Sequence, residues 1–284
     1  MPFRFRHAIC NEVFEGWKFA DTCRAIRRAG YEGIEIAPFT LNEFPAAIPA
    51  AERAEYRKIM SGEGLAFVGL HWLMVSPKGL HVTTPDAALR ARSWQHIDDL
   101  IDLCADLAGD SPEKGVMVFG SPKQRSSTGG ASAAEAFANY EAGLAGVARH
   151  AEARGVTILP EVLARADSDI LNTGDEAAAL VARLASPAIQ TMFDTHNAVD
   201  EPGPHPAVIE KHFGIIRHIH VNELDGRHPG TGTYDFRSIL ETLQRLQYRG
   251  WVSLEVFDFQ AGAEKIAGDS LTYLNSLIET LPKT

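Results

Sequence analysis

Four acidic or imidazole side chains in the second half of the sequence lie inside, or at the ends of, apolar runs. They are Glu161, Asp194, His220 and Glu255. An ionised carboxylate in apolar surroundings is costly unless a cation compensates its charge. Three carboxylates that meet at one place repel one another, and a divalent metal ion is the simplest compensation. We therefore predict one divalent metal site, with Mn²⁺ as first choice and Mg²⁺, Co²⁺ or Zn²⁺ as alternatives.

Each of these residues alone has a more ordinary interpretation. A single Glu or Asp at a strand end is commonly paired with Arg or caps the following helix. Four such residues from four consecutive strands favour the metal site instead.

The elements that must position these residues alternate along the whole chain. Short β-type runs are separated by longer segments of helical periodicity, of which residues 85–109 are the clearest. Glycines mark the turns from helix to strand, as at Gly30, Gly155 and Gly250. The eight predicted strands are residues 6–9, 33–37, 66–71, 116–120, 156–161, 189–194, 218–223 and 252–257.

Eight βα units in series, with no linker between them, predict a single (β/α)8 TIM barrel as one catalytic domain over residues 1–284. A doubly wound open sheet is the competing architecture. It predicts a glycine-rich phosphate loop after the first strand, whereas residues 10–16 carry only Gly16. In a TIM barrel the active site lies at the carboxyl ends of the strands.

Other polar residues at these strand ends are candidate substrate contacts. His71 ends the third strand, where it either binds a substrate hydroxyl or is a structural histidine, and Trp72 beside it suits packing on a sugar face. Arg227 lies near His220 in a loop that a Pro-Gly turn holds. The loop of residues 120–127 either binds a phosphate or carboxylate, or is solvated.

Two further residues have no assigned role. Glu35 on the second strand points into the barrel mouth or pairs with a basic neighbour. His218 shares a strand face with His220, which makes it a candidate for a deeper position in the barrel.

The four segments together resemble the xylose-isomerase-like superfamily of sugar phosphate isomerases and epimerases, particularly the ketose 3-epimerases. The resemblance lies in residue type, strand position and intervals of 33, 26 and 35 residues between the four ligands, and it covers nearly the whole chain. It implies that Glu161 and Glu255 are also the catalytic acid/base pair. The implied reaction is proton transfer α to a carbonyl through a metal-stabilised enediolate, with a sugar or sugar phosphate as substrate.

The chain departs from the family pattern around the substrate. The family's substrate-binding His stands three residues beyond the Asp ligand, whereas here His196 is two beyond Asp194 and Asn197 is third. Gly226 occupies the place of the family's Arg, which Arg227 follows, and Ala164 and Asp167 replace the usual Asn and Glu. We keep His71, His196 and Arg227 as the predicted substrate-binding residues.

The composition of the chain argues against some classes of binding partner. The chain has 284 residues, 45% of them hydrophobic and 23% charged, and a formal net charge of -10, which argues against a broad nucleic-acid surface. No apolar segment reaches the length of about 18 residues that a membrane span requires. Three widely spaced cysteines without a CxxC motif favour a reducing compartment, so we expect a cytoplasmic enzyme. The resemblance implies a homodimer or homotetramer.

Three other functions compete with a metal-dependent isomerase or epimerase. A keto-inositol or keto-sugar dehydratase or lyase uses the same metal site and expels a β-hydroxyl. A phosphodiesterase similar to apurinic endonucleases needs more metal ligands and a DNA-binding surface. A binding barrel without turnover leaves both glutamates unexplained.

Overall fold

A computed structural model of the protein describes residues 3–282 as eight parallel strands surrounded by helices. The strands are β1 Arg6–Cys10, β2 Gly33–Ile36, β3 Ala66–Leu70, β4 Val116–Phe119, β5 Thr157–Pro160, β6 Thr191–Asp194, β7 Ile216–Val221 and β8 Trp251–Leu254. The helices are α1 Phe19–Ala29, α2 Ala50–Gly62, α3 Ala87–Ala108, α4 Pro122–Arg125, α5 Ala133–Arg154, α6 Gly174–Leu184, α7 His205–His212, α8 Phe236–Arg245 and α9 Ala263–Glu279.

The strands follow one another around the sheet in the order β5-β4-β3-β2-β1-β8-β7-β6. Strands β1 and β8 pair continuously from Arg6–Trp251 to Ile9–Leu254. Between β5 and β6 the sheet closes through a single bridge at Ile158, whose N–H donates to the carbonyl of Ala188 at 2.8 Å. This closure confirms the predicted TIM barrel, and we name the β5–β6 junction the seam.

The helix ends show why the alternation could be read from the sequence. The side chain of Asp86 caps α3, and Ser132 forms a capping box with Glu135 at the start of α5. Helices α1 and α5 end as predicted at Gly30 and Gly155, both in the left-handed region. At the third predicted turn, α8 ends earlier, and Gln247 rather than Gly250 has a positive φ, of 55°.

Apolar side chains fill the space between the sheet and the helices, but polar ones fill the upper barrel. Glu35, His71, His218 and His220 are all fully buried there. The interior of a TIM barrel is normally packed by branched apolar residues, so this buried charge needs a compensating arrangement. Among residues 3–282, none of the helices combines the length and apolar composition that a membrane crossing requires.

Candidate active site

The carboxyl ends of four consecutive strands bring the predicted metal ligands together. Asp194 is the last residue of β6, His220 lies within β7, and Glu161 and Glu255 directly follow β5 and β8. One ligand atom from each lies within 4.8 Å of the others. All four residues are at most 4% exposed. We call this group the quartet.

The ring of His220 has carboxylates on both of its sides. Its Nδ1 lies 3.0 Å from Oε2 of Glu255 and 3.7 Å from Oδ2 of Asp194. Its Nε2 lies 3.1 Å from Oε1 of Glu35, on the opposite side. Nδ1 is therefore the nitrogen that faces the quartet, and Glu35 holds the other end of the ring.

The two glutamates of the quartet are each oriented by one neutral donor. Asn197 donates from Nδ2 to Oε1 of Glu161 at 2.8 Å, and Trp72 donates from Nε1 to Oε1 of Glu255 at 2.8 Å. Gly120 makes room for Glu161, because a Cβ at that position would overlap Oε2 of Glu161. Asn197 and Trp72 thus leave Oε2 of each carboxylate, which in Glu255 lies 3.0 Å from Nδ1 of His220, for a metal ion or a proton.

Asp194 is held by the turn that follows it. Its Oδ1 accepts the backbone N–H groups of His196 and Asn197, both at 2.7 Å, and its Oδ2 accepts Nδ2 of Asn222 at 3.2 Å. These bonds fix the carboxylate before any ligand arrives.

The electrostatics of the quartet fit a divalent cation. Burial, and then the charges of Glu255 and Asp194, raise the pKa of Glu161 to about 8. Burial and Glu255 also raise the pKa of Asp194. Burial opposes the charge of Glu255, but the His220 ring beside it lowers the pKa of Glu255.

The quartet therefore carries more buried negative charge than one imidazole neutralises, and a proton on Glu161 relieves part of it. A divalent cation would relieve the same charge, and three carboxylates with one imidazole nitrogen are a donor set that such cations accept. The residues present fit the predicted metal.

A cavity of about 520 Å³ opens above the quartet. Glu161 and Glu255 line its floor, and it lies within the size range of small-molecule sites. The indole of Trp72 stacks with two phenyl rings that are nearly parallel to it, Phe39 and Phe257, each with its centroid 6.1 Å away. Trp72 and Phe257 both line the cavity and provide an apolar wall of the kind that packs on sugar faces.

The structure separates the three predicted substrate-binding residues. His196 lines the cavity, and its Nδ1–H donates to the carbonyl of Leu224 at 2.7 Å. The side chain of Arg227 is 43% exposed and pairs with Asp225 at 2.7 Å, and the residue is absent from the lining that the described residues form. His71 is fully buried, and its Nε2 lies 2.6 Å from Oε2 of Glu12.

Several residues around the quartet had no assigned role in the sequence. Glu35 accepts Nε2 of His218 at 2.8 Å as well as Nε2 of His220. His218, which the shared strand face made a candidate for a deeper position than His220, is fully buried as His220 is. Nothing in the local sequence marked Glu12 or Asn222, because their partners are distant along the chain, and Asn197 was noted only as standing where the family has a His.

Comparison with known proteins finds a matching family and named relatives. The model of the xylose isomerase-like TIM barrel family matches residues 23–277. An L-ribulose 3-epimerase of Methylomonas sp. (strain DH-1) is 26% identical over 279 residues, which cover 96% of this chain and 92% of the relative. A D-psicose 3-epimerase of Agrobacterium fabrum is 24% identical over 89% of this chain and 85% of its own.

The fold is also shared with a solved structure. The crystal structure of a D-psicose 3-epimerase in the presence of D-fructose superposes with a TM-score of 0.81 at 21% identity, covering 96% of this chain and 99% of the other. The family match spans strands β2 to β8 and all four quartet positions. The chain belongs to the xylose isomerase-like TIM barrel family.

Proposed function

We propose that this protein is a metal-dependent epimerase of keto sugars that inverts the carbon beside the carbonyl. One observation carries the proposal: two buried glutamates of a preassembled four-residue metal site also form the floor of a sugar-sized cavity. The relatives confirm the predicted class, a carbohydrate isomerase or epimerase. Their names, which specify 3-epimerases, support carbon 3 of a 2-ketose as the reacting carbon.

Inversion requires a base that removes a proton and an acid that returns one from the other side. We assign these roles to Glu161 and Glu255, which exchange them when the reaction runs backwards. Asn197 and Trp72 each occupy one oxygen of these carboxylates and so orient the other. When bound, the divalent ion supplies Lewis-acid stabilisation for the negative oxygen of the enediolate.

We extend the proposal to the metal ion, the substrate-binding residues, the cellular location and the oligomeric state. Mn²⁺ is our first choice of ion, since the quartet offers three carboxylates and one nitrogen. We retain His71, His196 and Arg227 as proposed substrate-binding residues. A cytoplasmic location is supported by three buried, unpaired cysteines, Cys10, Cys23 and Cys104. The homodimer or homotetramer implied by the resemblance also stays a proposal.

The proposal is tested by incubating metal-loaded protein in D₂O with a panel of ketoses, ketose phosphates and keto-inositols, followed by NMR. We expect metal-dependent deuterium at the carbon beside the carbonyl, together with the epimer as product. Glu161→Gln and Glu255→Gln should each lower the exchange rate at least about 100-fold, as expected for removal of an acid/base group. Bound metal is measured on each variant to separate lost chemistry from lost metal.

Two other outcomes of this experiment would argue against an epimerase. Loss of water from the substrate would identify a dehydratase, the predicted alternative, on the same site. Absence of carbon-bound deuterium with every compound, in protein that holds its metal, would contradict the proposed proton transfer.

A further inference from the structure

Two lysines give the lining of the cavity positive charge. Ser121 and Lys123 lie in the loop after β4 and at the start of α4, and Lys78 comes from the loop between β3 and α3. All three line the cavity whose floor contains Glu161 and Glu255. We call these three residues the lysine wall.

Within residues 3–282, the two ammonium groups of the lysine wall have no counter-ion. Lys58, Lys211 and Lys265 each pair with a neighbouring carboxylate. Within residues 3–282, neither Lys78 nor Lys123 forms an ion pair or donates a hydrogen bond to the protein. Both charges are therefore available to a ligand in the cavity.

Ser121 offers an unused hydroxyl beside them. The residue is 9% exposed, and its Oγ is buried with no hydrogen-bond partner in the described part of the chain. Leaving a buried hydroxyl unpaired costs on the order of 1–3 kcal/mol, so such a group commonly serves a ligand. Its backbone has a positive φ of 48°, which is unusual for a residue with a side chain.

The lysine wall is adjacent to the quartet. Gly120, the residue before Ser121, packs so closely on Glu161 that a Cβ would overlap its carboxylate. A molecule that places its carbonyl end at Glu161 thus extends directly toward Ser121 and the lysines. A neutral sugar has only hydroxyl groups to offer there, whereas phosphate and carboxylate oxygens accept charge-assisted hydrogen bonds.

We propose that the substrate is an anionic keto sugar whose phosphate or carboxylate binds the lysine wall, while its carbonyl end meets the quartet. This rests on the proposed epimerase function and narrows its substrate class. Asp167 also lines the cavity, and its negative charge repels an anion that the two lysines attract. Charge at residues 123 and 167 should therefore change anion affinity in opposite directions.

The test uses three probes that differ only at carbon 6, namely D-fructose, D-fructose 6-phosphate and D-fructuronate. Their dissociation constants are measured by calorimetry on metal-loaded protein. We expect at least one anionic sugar to bind about tenfold more tightly than D-fructose, the size of one charge-assisted hydrogen bond. Which of the two binds more tightly identifies phosphate or carboxylate as the recognised group.

Variants then locate the recognition. Lys123→Met should bring the ratio of neutral to anionic dissociation constants close to one, and Asp167→Asn should increase it. Lys58→Met, an exposed lysine on α2, is the matched control and should keep the wild-type ratio. Lys123 is exposed, so its variant is expected to fold.

The proposal is overturned if D-fructose binds as tightly as both anionic sugars, or if Lys123→Met and Lys58→Met give the same ratio. Its failure is distinct from failure of the epimerase function. If proton exchange is faster with neutral ketoses, the proposed epimerase function stands and the proposed anion site is refuted. Lys123-dependent anion binding without proton exchange on any keto sugar would do the reverse.

Discussion

Glu35 decides which nitrogen of His220 is free for a metal ion. A carboxylate only accepts hydrogen bonds, so the Nε2 atoms of both His218 and His220 must carry protons to bind it. With its proton on Nε2, a neutral His220 presents the lone pair of Nδ1 to the quartet. Metal-binding histidines are commonly fixed in this way by a carboxylate behind the ring.

Glu35→Gln should weaken metal binding by about 10- to 100-fold. Glutamine has one acceptor oxygen and one donor nitrogen, so its NH₂ group faces Nε2 of one of the two histidines and favours the tautomer that carries the proton on Nδ1. In the described residues, Nδ1 of His218 has no partner, and a proton there would be buried without an acceptor. The change therefore falls on His220, whose Nδ1–H would bind Glu255 and block the metal.

The measurement is a calorimetric metal titration of Glu35→Gln against the wild type. Glu32→Gln is the control, because Glu32 lies just before β2 and pairs with Arg4 at the surface. Equal metal affinity of the two variants, with unchanged circular dichroism, would refute the role of Glu35.

At the scale of elements, the long helices α3 and α5 pack against each other through a glycine. The ring of Trp94 on α3 occupies the space where a Cβ of Gly143 on α5 would stand. Trp94 also donates from Nε1 to the carbonyl of Val82 at 3.0 Å, which ties α3 to the loop before it. Gly146, three residues further along α5, has no neighbouring atom near its Cβ position and is exposed.

Alanine at these two glycines should therefore have opposite effects. Gly143→Ala should lower the free energy of unfolding by about 1–3 kcal/mol, since it overfills a packed contact. Gly146→Ala should raise it by up to about 1 kcal/mol, because alanine favours the helix more than glycine does. Urea unfolding of both variants measures the difference. A stabilising Gly143→Ala would show that the Trp94 contact is not close-packed.

The strands and helices also show how much of the fold the sequence could predict. Alternating strand and helix patterns located all eight strands, since buried strands and amphipathic helices have different periods. The observed strands are mostly shorter, so Glu161 and Glu255 follow strands that were predicted to contain them. The quartet was identified because its members interrupt apolar runs, a signal that is local in sequence.

The rest of the site depends on contacts between residues that are distant in sequence, which no local pattern indicates. Trp72 and Glu255 are 183 residues apart, and Glu35 and His220 are 185 apart. His71 was placed at the correct strand end, but its ring lies in the barrel interior against Glu12. The direction of a side chain at a strand end depends on the following turn, where Trp72 has a positive φ of 49°.

At the scale of the whole molecule, the quartet lies at the seam between β5 and β6. Glu161 follows β5, and Asp194 ends β6, so the two ligands stand on opposite sides of the least paired junction of the sheet. Above the bridge at Ile158, the hydroxyl of Thr191 donates to the carbonyl of Pro160 at 2.8 Å. A bound metal would therefore link the two strands that the backbone joins most weakly.

Removal of metal should loosen the seam before the rest of the barrel. A ligand present at 1,000 times its dissociation constant adds about 4 kcal/mol to stability, and a chelator removes this contribution. We expect hydrogen exchange to increase first in peptides that contain β5 and β6. Peptides that contain β1 and β8, which pair continuously, are the internal control. A uniform increase across all peptides would contradict a role of the metal at the seam.

The seam has a consequence for how the protein behaves in a crowded solution. A closed barrel has no strand with unpaired backbone groups, whereas an opened one presents two, and such edges pair readily with other chains. Separation of β5 from β6 would turn a closed sheet into a template for aggregation. The cation at the quartet would then protect the protein from self-association in addition to its part in the reaction, and cells short of that ion would lose the protein as well as its activity.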